Sequence, residues 1–504
     1  MKRAPMNTFK TKILKGMAWT VSFRFGQRFM GLVSTLILVR LLAPKDFGII
    51  AMGMAVGAVL DAISSFGFDQ AIIQRKEIDR THLDTAWTIN QIVSFIATVV
   101  LLLLAPVVAA YYGDPRVINV IIVLAIGVAL TGVQNFPGMT MFERDMNFRP
   151  VFMVMMSAEI LSTLVTIVLA FVWRDYRALL AGLFTFTFTK VTLGYVLSPY
   201  RPRWSLAAAG EMLQFTRWLL LNNLITAVSN RGQDALIGRH LGAASTGAFS
   251  VANEVAHLPT TEMIMPFMRA IYPAFVKIRD GTGGLLWSFS KVASIVFLIV
   301  IPTAVGIACL ADLIVAVILG AKWSASTPLL PILGVLGTLQ ACRAVTDPVL
   351  LATGKPRMIA TLSLLFVGTA FPAFALLLYT TNLTTATWGL VLGGFVSVVA
   401  GFSVALKELA GRWTTLLLTL IRPLLGSGVM AAAVMGTRAL LPQTQGSLSS
   451  LPLMLAMMLL GAVVYVGTVL ALWSLRGKPD GAERELLDIA GRFLGRLRRQ
   501  PTAA

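Results

Sequence analysis

Residues 86–109 read AWTINQIVSFIATVVLLLLAPVVA and contain no Asp, Glu, Lys or Arg. A helix that crosses the hydrocarbon core of a bilayer needs about 20 mostly apolar residues, so this stretch predicts a transmembrane helix. Thirteen further stretches of similar character lie at 17–39, 47–66, 117–138, 151–173, 177–198, 212–236, 246–268, 285–307, 325–349, 357–379, 385–406, 414–436 and 451–474. The sequence therefore predicts an all-α integral membrane protein with about 14 transmembrane helices.

The composition of the 504 residues excludes a soluble protein of several domains. Hydrophobic residues make up 57% and charged residues only 13%, whereas a soluble chain carries about 25% charged residues. Cys309 and Cys342 lie in apolar stretches, and His82, His240 and His257 are scattered, so the sequence has no disulfide framework and no metal-ligand spacing. In such a chain, the net charge of +19 is typical of cytoplasmic loops that face anionic lipid.

Lys and Arg residues are distributed unequally between the two sides of the predicted spans. With a cytoplasmic N-terminus, 26 of the 42 Lys and Arg residues fall on the cytoplasmic side and 8 on the opposite side. The positive-inside rule then favours an even number of spans with both termini in the cytoplasm, which fits fourteen spans and leaves twelve as the main alternative. The C-tail from Arg476 alternates apolar and basic residues at helical spacing, which is typical of an amphipathic helix on the anionic leaflet and equally of a solvated tail helix.

A weak internal repeat divides the chain. Residues 40–48 read RLLAPKDFG and residues 239–247 read RHLGAASTG, with Arg, Leu and Gly matching at an offset of 199 residues. Both follow spans that begin on the same side, so we expect two parallel six-helix halves. The predicted division is a basic cytoplasmic N-tail at 1–16, an N-terminal six-helix bundle at 17–198, a C-terminal six-helix bundle at 212–406, two additional helices at 414–474 and a basic amphipathic tail at 475–504.

The sequence contains no catalytic or nucleotide-binding signature. Gly354-Lys355 is the nearest approach to a phosphate-binding loop, but Val349 stands where the first glycine is required and Pro356 replaces Ser or Thr. The apolar stretch 311–319 is too short to cross a bilayer and is expected at the membrane interface. We expect a protein that is not an enzyme and that uses no cofactor or metal.

Charged residues inside the predicted spans are the candidates for function. A charge at the bilayer centre costs at least ~2.5–3.5 kcal/mol, so it usually faces a cavity or a partner. Arg24 and Arg28 lie one helical turn apart in the first span, and we predict that they form a cationic wall for an anionic substrate. The alternative is a structural role in which they pair with Asp61 or Glu159.

The seventh and eighth spans carry the other deep charges. Arg231 is predicted to belong to the same cationic cavity, although its spacing of three residues from Asp234 also favours an ion pair within the helix. Asp61, Asp234 and Glu254 are candidates for ion coupling, because a carboxylate in a cavity can bind a proton or a sodium ion.

Five further charges in the spans receive a structural interpretation. Arg343 and Asp347 are four residues apart and are expected to pair within their helix. Lys190, Lys291 and Arg422 lie within reach of helix ends and have no predicted function of their own.

Four motifs resemble the polysaccharide-transporter (Wzx-type) flippases of the multidrug/oligosaccharidyl-lipid/polysaccharide exporter superfamily. They are LVRLLAPKDFG at 38–48, the segment 71–90 with HLDTAWTIN at its end, FERDMNFR at 142–149 and GAKW at 320–323. The likeness covers most of residues 15–410 and is strongest before residue 150.

The resemblance implies both a fold and an activity. The fold would be two six-helix bundles that form a V, with two additional helices. The activity would be movement of an undecaprenyl-diphosphate-linked oligosaccharide across the bacterial inner membrane, for exopolysaccharide or O-antigen-type polysaccharide biosynthesis. The implied partners are the lipid-linked oligosaccharide, membrane lipids, a polysaccharide polymerase and the chain-length machinery, and no nucleic acid.

Three alternatives to this function stay open at the level of sequence. A drug/cation antiporter of the same superfamily would have an acid-rich cavity, whereas the intramembrane charges here include several arginines. A lipid II-type flippase shares the 14-span plan and fits the loop motifs less well. A membrane glycosyltransferase or polymerase belongs to a different class and would have a large periplasmic loop, which the predicted spans do not leave room for.

Overall fold

The structure is a computed structural model of the chain, and it consists of α-helices joined by short loops. No β-strand occurs among the residues that it describes, which confirms the all-α fold class. The described residues are 19, 26–31, 33–64, 67–74, 78–210, 217–268, 271, 275, 278, 284–440, 450–477 and 482–485.

The chain consists of two compact helical units, Met1–Ser250 and Val251–Ala504. Helix α1 comprises residues 26–31 and 33–41. It is followed by α2 Pro44–Ser64, α3 Phe68–Gln74, α4 Arg80–Tyr112, α5 Val117–Val133, α6 Phe136–Arg144, α7 Phe148–Trp173, α8 Arg177–Leu197 and α9 Arg217–Pro259.

The second unit begins within α9 and continues through short and long helices. A π-helical turn, Thr260–Ile264, extends α9. The helices that follow are α10 Leu285–Ile314 with a π-helical end at Val315–Leu319, a 3-10 turn Ala321–Ser326, α11 Leu329–Ala344, α12 Thr346–Ala352, α13 Pro356–Thr380, α14 Leu383–Glu408, α15 Trp413–Leu440 and α16 Leu451–Leu475.

Ten helices of the described part are long and apolar enough to cross a membrane, and an eleventh arises if α5 and α6 are counted as one bent span. The bend between α5 and α6 is 58°. It follows from the cap of α6, because Asn135 Oδ1 accepts a hydrogen bond from Gly138 N and starts a new helix there. The fourth predicted span, 117–138, therefore contains the bend between α5 and α6 near its end.

Helix α9 contains the described part of the predicted span 212–236 and, as far as Pro259, the predicted span 246–268. Its one residue with non-helical dihedral angles is Gly242, at φ +73°. Glycine adopts this left-handed conformation without steric cost, so the loop predicted between the two spans is reduced to a single residue. The helix carries too many polar residues to count among the ten apolar helices.

The segment 311–319 does not form a separate interfacial piece. It continues α10, so that one helical span runs from Leu285 to Leu319. Ala311, Leu313, Val315 and Leu319 are buried within the second unit. The length of the stretch 311–319 does not predict this structure, because the stretch is helical as a continuation of the residues that precede it.

Each unit has its own apolar core. In the first, Ile49 and Met52 of α2 pack with Val120 and Ile121 of α5, and all four are fully buried. In the second, the ring of Phe402 lies 5.7 Å from that of Phe289 and 6.1 Å from that of Phe297, centroid to centroid.

The segment after α8 is fixed to α4 by a set of hydrogen bonds. The buried carboxylate of Asp84 accepts one from Tyr200 Oη and one of 3.0 Å from Arg203 N. Thr88 Oγ1 accepts another, of 3.0 Å, from Ser205 N. The chain that leads from α8 towards α9 is therefore attached to α4 rather than free.

Candidate functional site

The first unit contains a polar cavity of about 470 Å³. Helices α2, α4, α5, α6, α7, α8 and α9 contribute to its wall, so it lies inside the helical bundle rather than at one loop. Its polar lining residues are Asp61, Asp69, Asn90, Ser94, Thr131, Gln134, Thr140, Glu143, Lys190 and Asn223.

Asp61 of α2 and Lys190 of α8 both line this cavity. They lie close enough for their charges to interact. The mutual attraction of a carboxylate and an ammonium offsets part of the cost of holding either charge among apolar helices. Asp61, a predicted ion-coupling residue, thus has an intramembrane cation as its neighbour.

Two further acids line the same cavity. Asp69 and Glu143 lie near enough to repel each other electrostatically. Arg144, the neighbour of Glu143, donates a 2.6 Å hydrogen bond from Nη1 to the carbonyl of Ile72, and this bond joins α6 to α3. With three carboxylates and one ammonium among its lining residues, the cavity is acidic rather than cationic.

Arg28 lies in α1 and is half-buried, whereas Arg24 lies outside the described residues. The start of α1 packs on α7. Gln27 forms a hydrogen bond with Glu159, and a Cβ on Gly26 would lie 2.6 Å from Met156 Cε. Glu159, considered above as a partner of the arginines, thus has the amide of Gln27 as one partner, and Arg28 is not part of the cavity lining.

Arg231 and Asp234 form the ion pair that their spacing suggested. Arg231 Nη1 lies 3.4 Å from Asp234 Oδ2, and the Asp234 side chain is 3% exposed whereas that of Arg231 is 37% exposed. The pair leaves part of the Arg231 guanidinium open to other ligands. Glu254 is exposed on α9 and belongs to the second unit, so the structure does not bring it together with Asp61.

Lys190 has no predicted function from sequence, yet it lines the cavity beside three acids. It lies well inside α8, seven residues before its end at Leu197, and is not at a helix terminus. Thr187, three residues before Lys190 and so on the same face of α8, is the sequence signal that this face is polar. The other predicted helix pair is confirmed, since Arg343 Nη1 lies 3.6 Å from Asp347 Oδ1.

The motifs that carried the family resemblance have structural roles in the described residues. Asp46 accepts a 2.8 Å hydrogen bond from Ala43 N at the start of α2, and Asp84 holds the segment after α8. Trp323 of the fourth motif is fully buried. These residues fix helix starts and connections, which explains why they identify a fold family better than a substrate.

Comparison with known proteins now identifies the family. The family model described as "polysaccharide biosynthesis protein" matches residues 37–328, more than half of the chain. The chain belongs to this family. The match confirms the resemblance to Wzx-type transporters, because the relatives of the chain include WzxC.

Two curated relatives and one solved structure illustrate the similarity. The lipopolysaccharide biosynthesis protein WzxC of Escherichia coli (strain K12) is 25% identical over 409 residues, which cover 80% of this chain and 83% of that protein. The succinoglycan biosynthesis transport protein ExoT of Rhizobium meliloti (strain 1021) is 24% identical over 338 residues, 66% of this chain and 67% of that protein. The lipid II flippase MurJ has the same fold, with a TM-score of 0.71 at 11% identity, and the match covers 91% of this chain and 99% of MurJ.

Proposed function

We propose that the protein is a flippase. It moves an undecaprenyl-diphosphate-linked oligosaccharide repeat unit from the cytoplasmic to the periplasmic leaflet of a bacterial inner membrane, for exopolysaccharide or O-antigen-type biosynthesis. One observation carries this proposal: a member of a polysaccharide biosynthesis family has the fold of a solved lipid flippase over nearly its whole length. In this proposal the protein is a carrier and not an enzyme.

Arg24, Arg28 and Arg231 are the proposed contacts of the diphosphate group. A guanidinium binds phosphate oxygens with two parallel N–H bonds and stays charged in a poorly hydrated environment, where a lysine is a weaker choice. Arg28 and Arg231 both lie in the first unit and both keep part of their side chain accessible. The proposal therefore requires the diphosphate headgroup to contact the first unit while it crosses the membrane.

An ion gradient is the proposed energy source, and Asp61 is the foremost coupling residue. A proton or sodium ion that binds the Asp61 carboxylate would cancel its charge and so weaken its attraction for Lys190. The released ammonium would then be available to an anion in the same cavity. Asp234 and Glu254 are further candidates, but Asp234 is nearly inaccessible beside Arg231.

The wider architecture is proposed together with this function. The transporting halves are residues 17–198 and 212–406, with 414–474 as additional helices, a basic N-tail at 1–16 and a basic tail at 475–504. Both termini lie in the cytoplasm. A polysaccharide polymerase and the chain-length machinery receive the translocated unit on the periplasmic side.

One observation favours a second candidate function, that of a drug/cation antiporter. The cavity of the first unit is lined by three acids and one lysine, which suits a cation better than a phosphate. The family match favours the flippase, because its members are described by polysaccharide biosynthesis.

A reconstituted transport assay separates the two functions. Vesicles that contain the purified protein and a labelled undecaprenyl-diphosphate oligosaccharide are treated with an impermeant glycosidase, and parallel vesicles are tested for uptake of a cationic dye. If the protein is a flippase, the labelled oligosaccharide in the inner leaflet should become accessible to the glycosidase only in vesicles that contain the protein. Dye uptake should be the same with and without the protein. Dye uptake driven by a proton gradient, with the oligosaccharide label still protected, would establish the antiporter instead.

A further inference from the structure

The second unit contains a basic cavity of about 270 Å³ that has no part in the proposed transport site. It lies where the first turns of α10 and α15 meet the end of α16. Lys291, Arg422 and Arg476 supply three positive charges to its lining. One water molecule occupies about 30 Å³ of liquid, so the cavity has room for a phosphate-sized group.

Two of the three cations are neutralised by carboxylates from the C-tail. Glu483 Oε1 lies 2.5 Å from Arg422 Nη1, and Glu485 pairs with Lys291. Both acids belong to the short helical segment 482–485 beyond α16. The tail thus places two anionic groups against a basic cavity built by three other helices.

The tail acids do not satisfy every polar group of the cavity. Arg476 makes no ion pair with any residue in the described part of the chain. Ser290 Oγ is buried, lines the cavity and has no hydrogen-bond partner among the described residues. Buried polar atoms are nearly always partnered by protein, water or ligand, so the unpartnered Ser290 hydroxyl, in a cavity that Arg476 also lines, indicates room for another acceptor.

The surroundings of the cavity place it next to lipid headgroups. Trp287 at the start of α10 is 58% exposed, and Lys291 Nζ lies 4.5 Å from the centroid of its ring. Exposed tryptophan beside lysine at the end of an apolar helix is typical of the membrane–water interface. A phosphate group in this position would be carried by a membrane lipid.

We propose that this cavity is a binding site for the phosphate group of an anionic membrane lipid, and that Glu483 and Glu485 occupy it as a tethered competitor. A phosphate offers more acceptor oxygens than a carboxylate, so a single group can bind Lys291, Arg422 and Arg476 together. Because the tail is attached to the chain, its acids act at a high effective concentration and hold the site closed when lipid is scarce.

Direct binding to the full-length protein in detergent tests the proposal. The probe is a short-chain phosphatidic acid, and diacylglycerol with the same acyl chains controls for binding of the tails. We expect the double variant Glu483→Gln/Glu485→Gln to bind phosphatidic acid at least tenfold more tightly than the unmodified protein. The matched control is Glu408→Gln, which removes a carboxylate paired with Lys355 at 2.6 Å elsewhere in the same unit and should leave binding unchanged.

Arg476→Gln provides a test in the opposite direction. This arginine holds no ion pair that the fold depends on, so its loss should weaken phosphatidic acid binding with little change in thermal stability. If the double variant does not fold, Glu485→Gln alone replaces it, because the Glu485 side chain is 39% exposed and less embedded than Glu483. A smaller gain in affinity is then expected.

Three results would overturn the proposal. The first is a loss of stability in the tail variants without any gain in phosphatidic acid binding, which would make the two acids a structural anchor. The second is no weakening by Arg476→Gln. The third is an equal gain for inorganic phosphate, with phosphatidic acid no better than diacylglycerol, which would assign the site to a soluble phosphate.

Discussion

Gly48 and Gly247 pack against each other's backbone although 199 residues separate them. A Cβ on Gly48 would lie 1.7 Å from the carbonyl oxygen of Ala243, and one on Gly247 would lie 1.8 Å from the carbonyl oxygen of Pro44. Pro44 and Ala243 are themselves 199 residues apart, so the contact is reciprocal. The two copies of the sequence repeat therefore meet at their matching glycines, where only a hydrogen atom fits.

Alanine at either glycine should destabilise the first unit. A Cβ cannot stand 1.7–1.8 Å from a backbone oxygen, so α2 and α9 must separate, and overpacking of this kind costs about 1–3 kcal/mol or more. We expect Gly48→Ala and Gly247→Ala to lower the midpoint of thermal unfolding in detergent. Gly127→Ala is the control, because a Cβ there meets no atom within 4 Å. Equal stability of all three variants would contradict the close packing.

Removal of the Asp84 carboxylate should release the segment after α8. Asp84→Ala leaves Tyr200 Oη and Arg203 N without their acceptor, and a hydrogen bond to a charged group contributes about 1.5–3 kcal/mol. Trypsin should then cleave after Arg203 several times faster than in the unmodified protein. Asp145→Ala, at an exposed acid, should not change the cleavage rate. Unchanged cleavage in Asp84→Ala would show that other contacts hold the segment.

Asp61 and Lys190 should behave as a coupled pair in transport. Asp61→Asn removes the group that is proposed to bind the driving ion, so translocation in vesicles should lose its response to an imposed proton or sodium gradient. Lys190→Gln should also reduce transport, and the double variant should be less impaired than the sum of the two single changes, because neither member of the pair is left charged without the other. A normal gradient response in Asp61→Asn would rule out this residue as the coupling site.

The orientation of the chain can be measured by cysteine labelling. In a variant that lacks Cys309 and Cys342, an impermeant thiol reagent added from the periplasmic side should label a cysteine at Asn382 and spare one at Gly481. Asn382 caps the start of α14 and its neighbour Thr381 is exposed, so the position is accessible. Labelling of both positions from the same side would exclude an arrangement with an odd number of spans between them.

Apolar helices are the part of the fold that sequence predicts well. The predicted span 357–379 lies within α13 Pro356–Thr380, and 451–474 lies within α16 Leu451–Leu475. Their ends coincide with proline, loop residues and charges, and these residue types mark helix ends in the sequence itself. Apolar sequence patterns do not predict the bend at Asn135, because it depends on a side-chain cap. They do not predict the π-helical end of α10 either, because the stretch 311–319 is helical as a continuation of the residues before it.

Charged contacts between distant helices are the part that sequence does not predict. Arg231 and Asp234 were recognisable because both lie on one helix at a pairing distance. Lys190 interacts electrostatically with Asp61, although 129 positions separate them in the sequence. Such an interaction depends on which helices become neighbours. The ion pair between Glu483 and Arg422 likewise joins residues from different helical segments. Residue type and depth identified these groups as unusual, but only the packed helices show which partners they have.

Transport by arginine variants tests most directly the claim that this protein carries a lipid diphosphate across the membrane. Hydrogen bonds to charged groups contribute about 1.5–3 kcal/mol, so Arg28→Ala should slow translocation of the undecaprenyl-diphosphate oligosaccharide in vesicles roughly tenfold or more. Arg28→Lys should lie between Ala and the unmodified protein, because it keeps the charge and loses the bidentate geometry. Thermal stability should be retained in both. If Arg28→Ala instead unfolds at a lower temperature, and Arg28→Ala/Glu159→Gln restores both stability and transport without any change in diphosphate binding, then Arg28 serves the structure and the account is wrong.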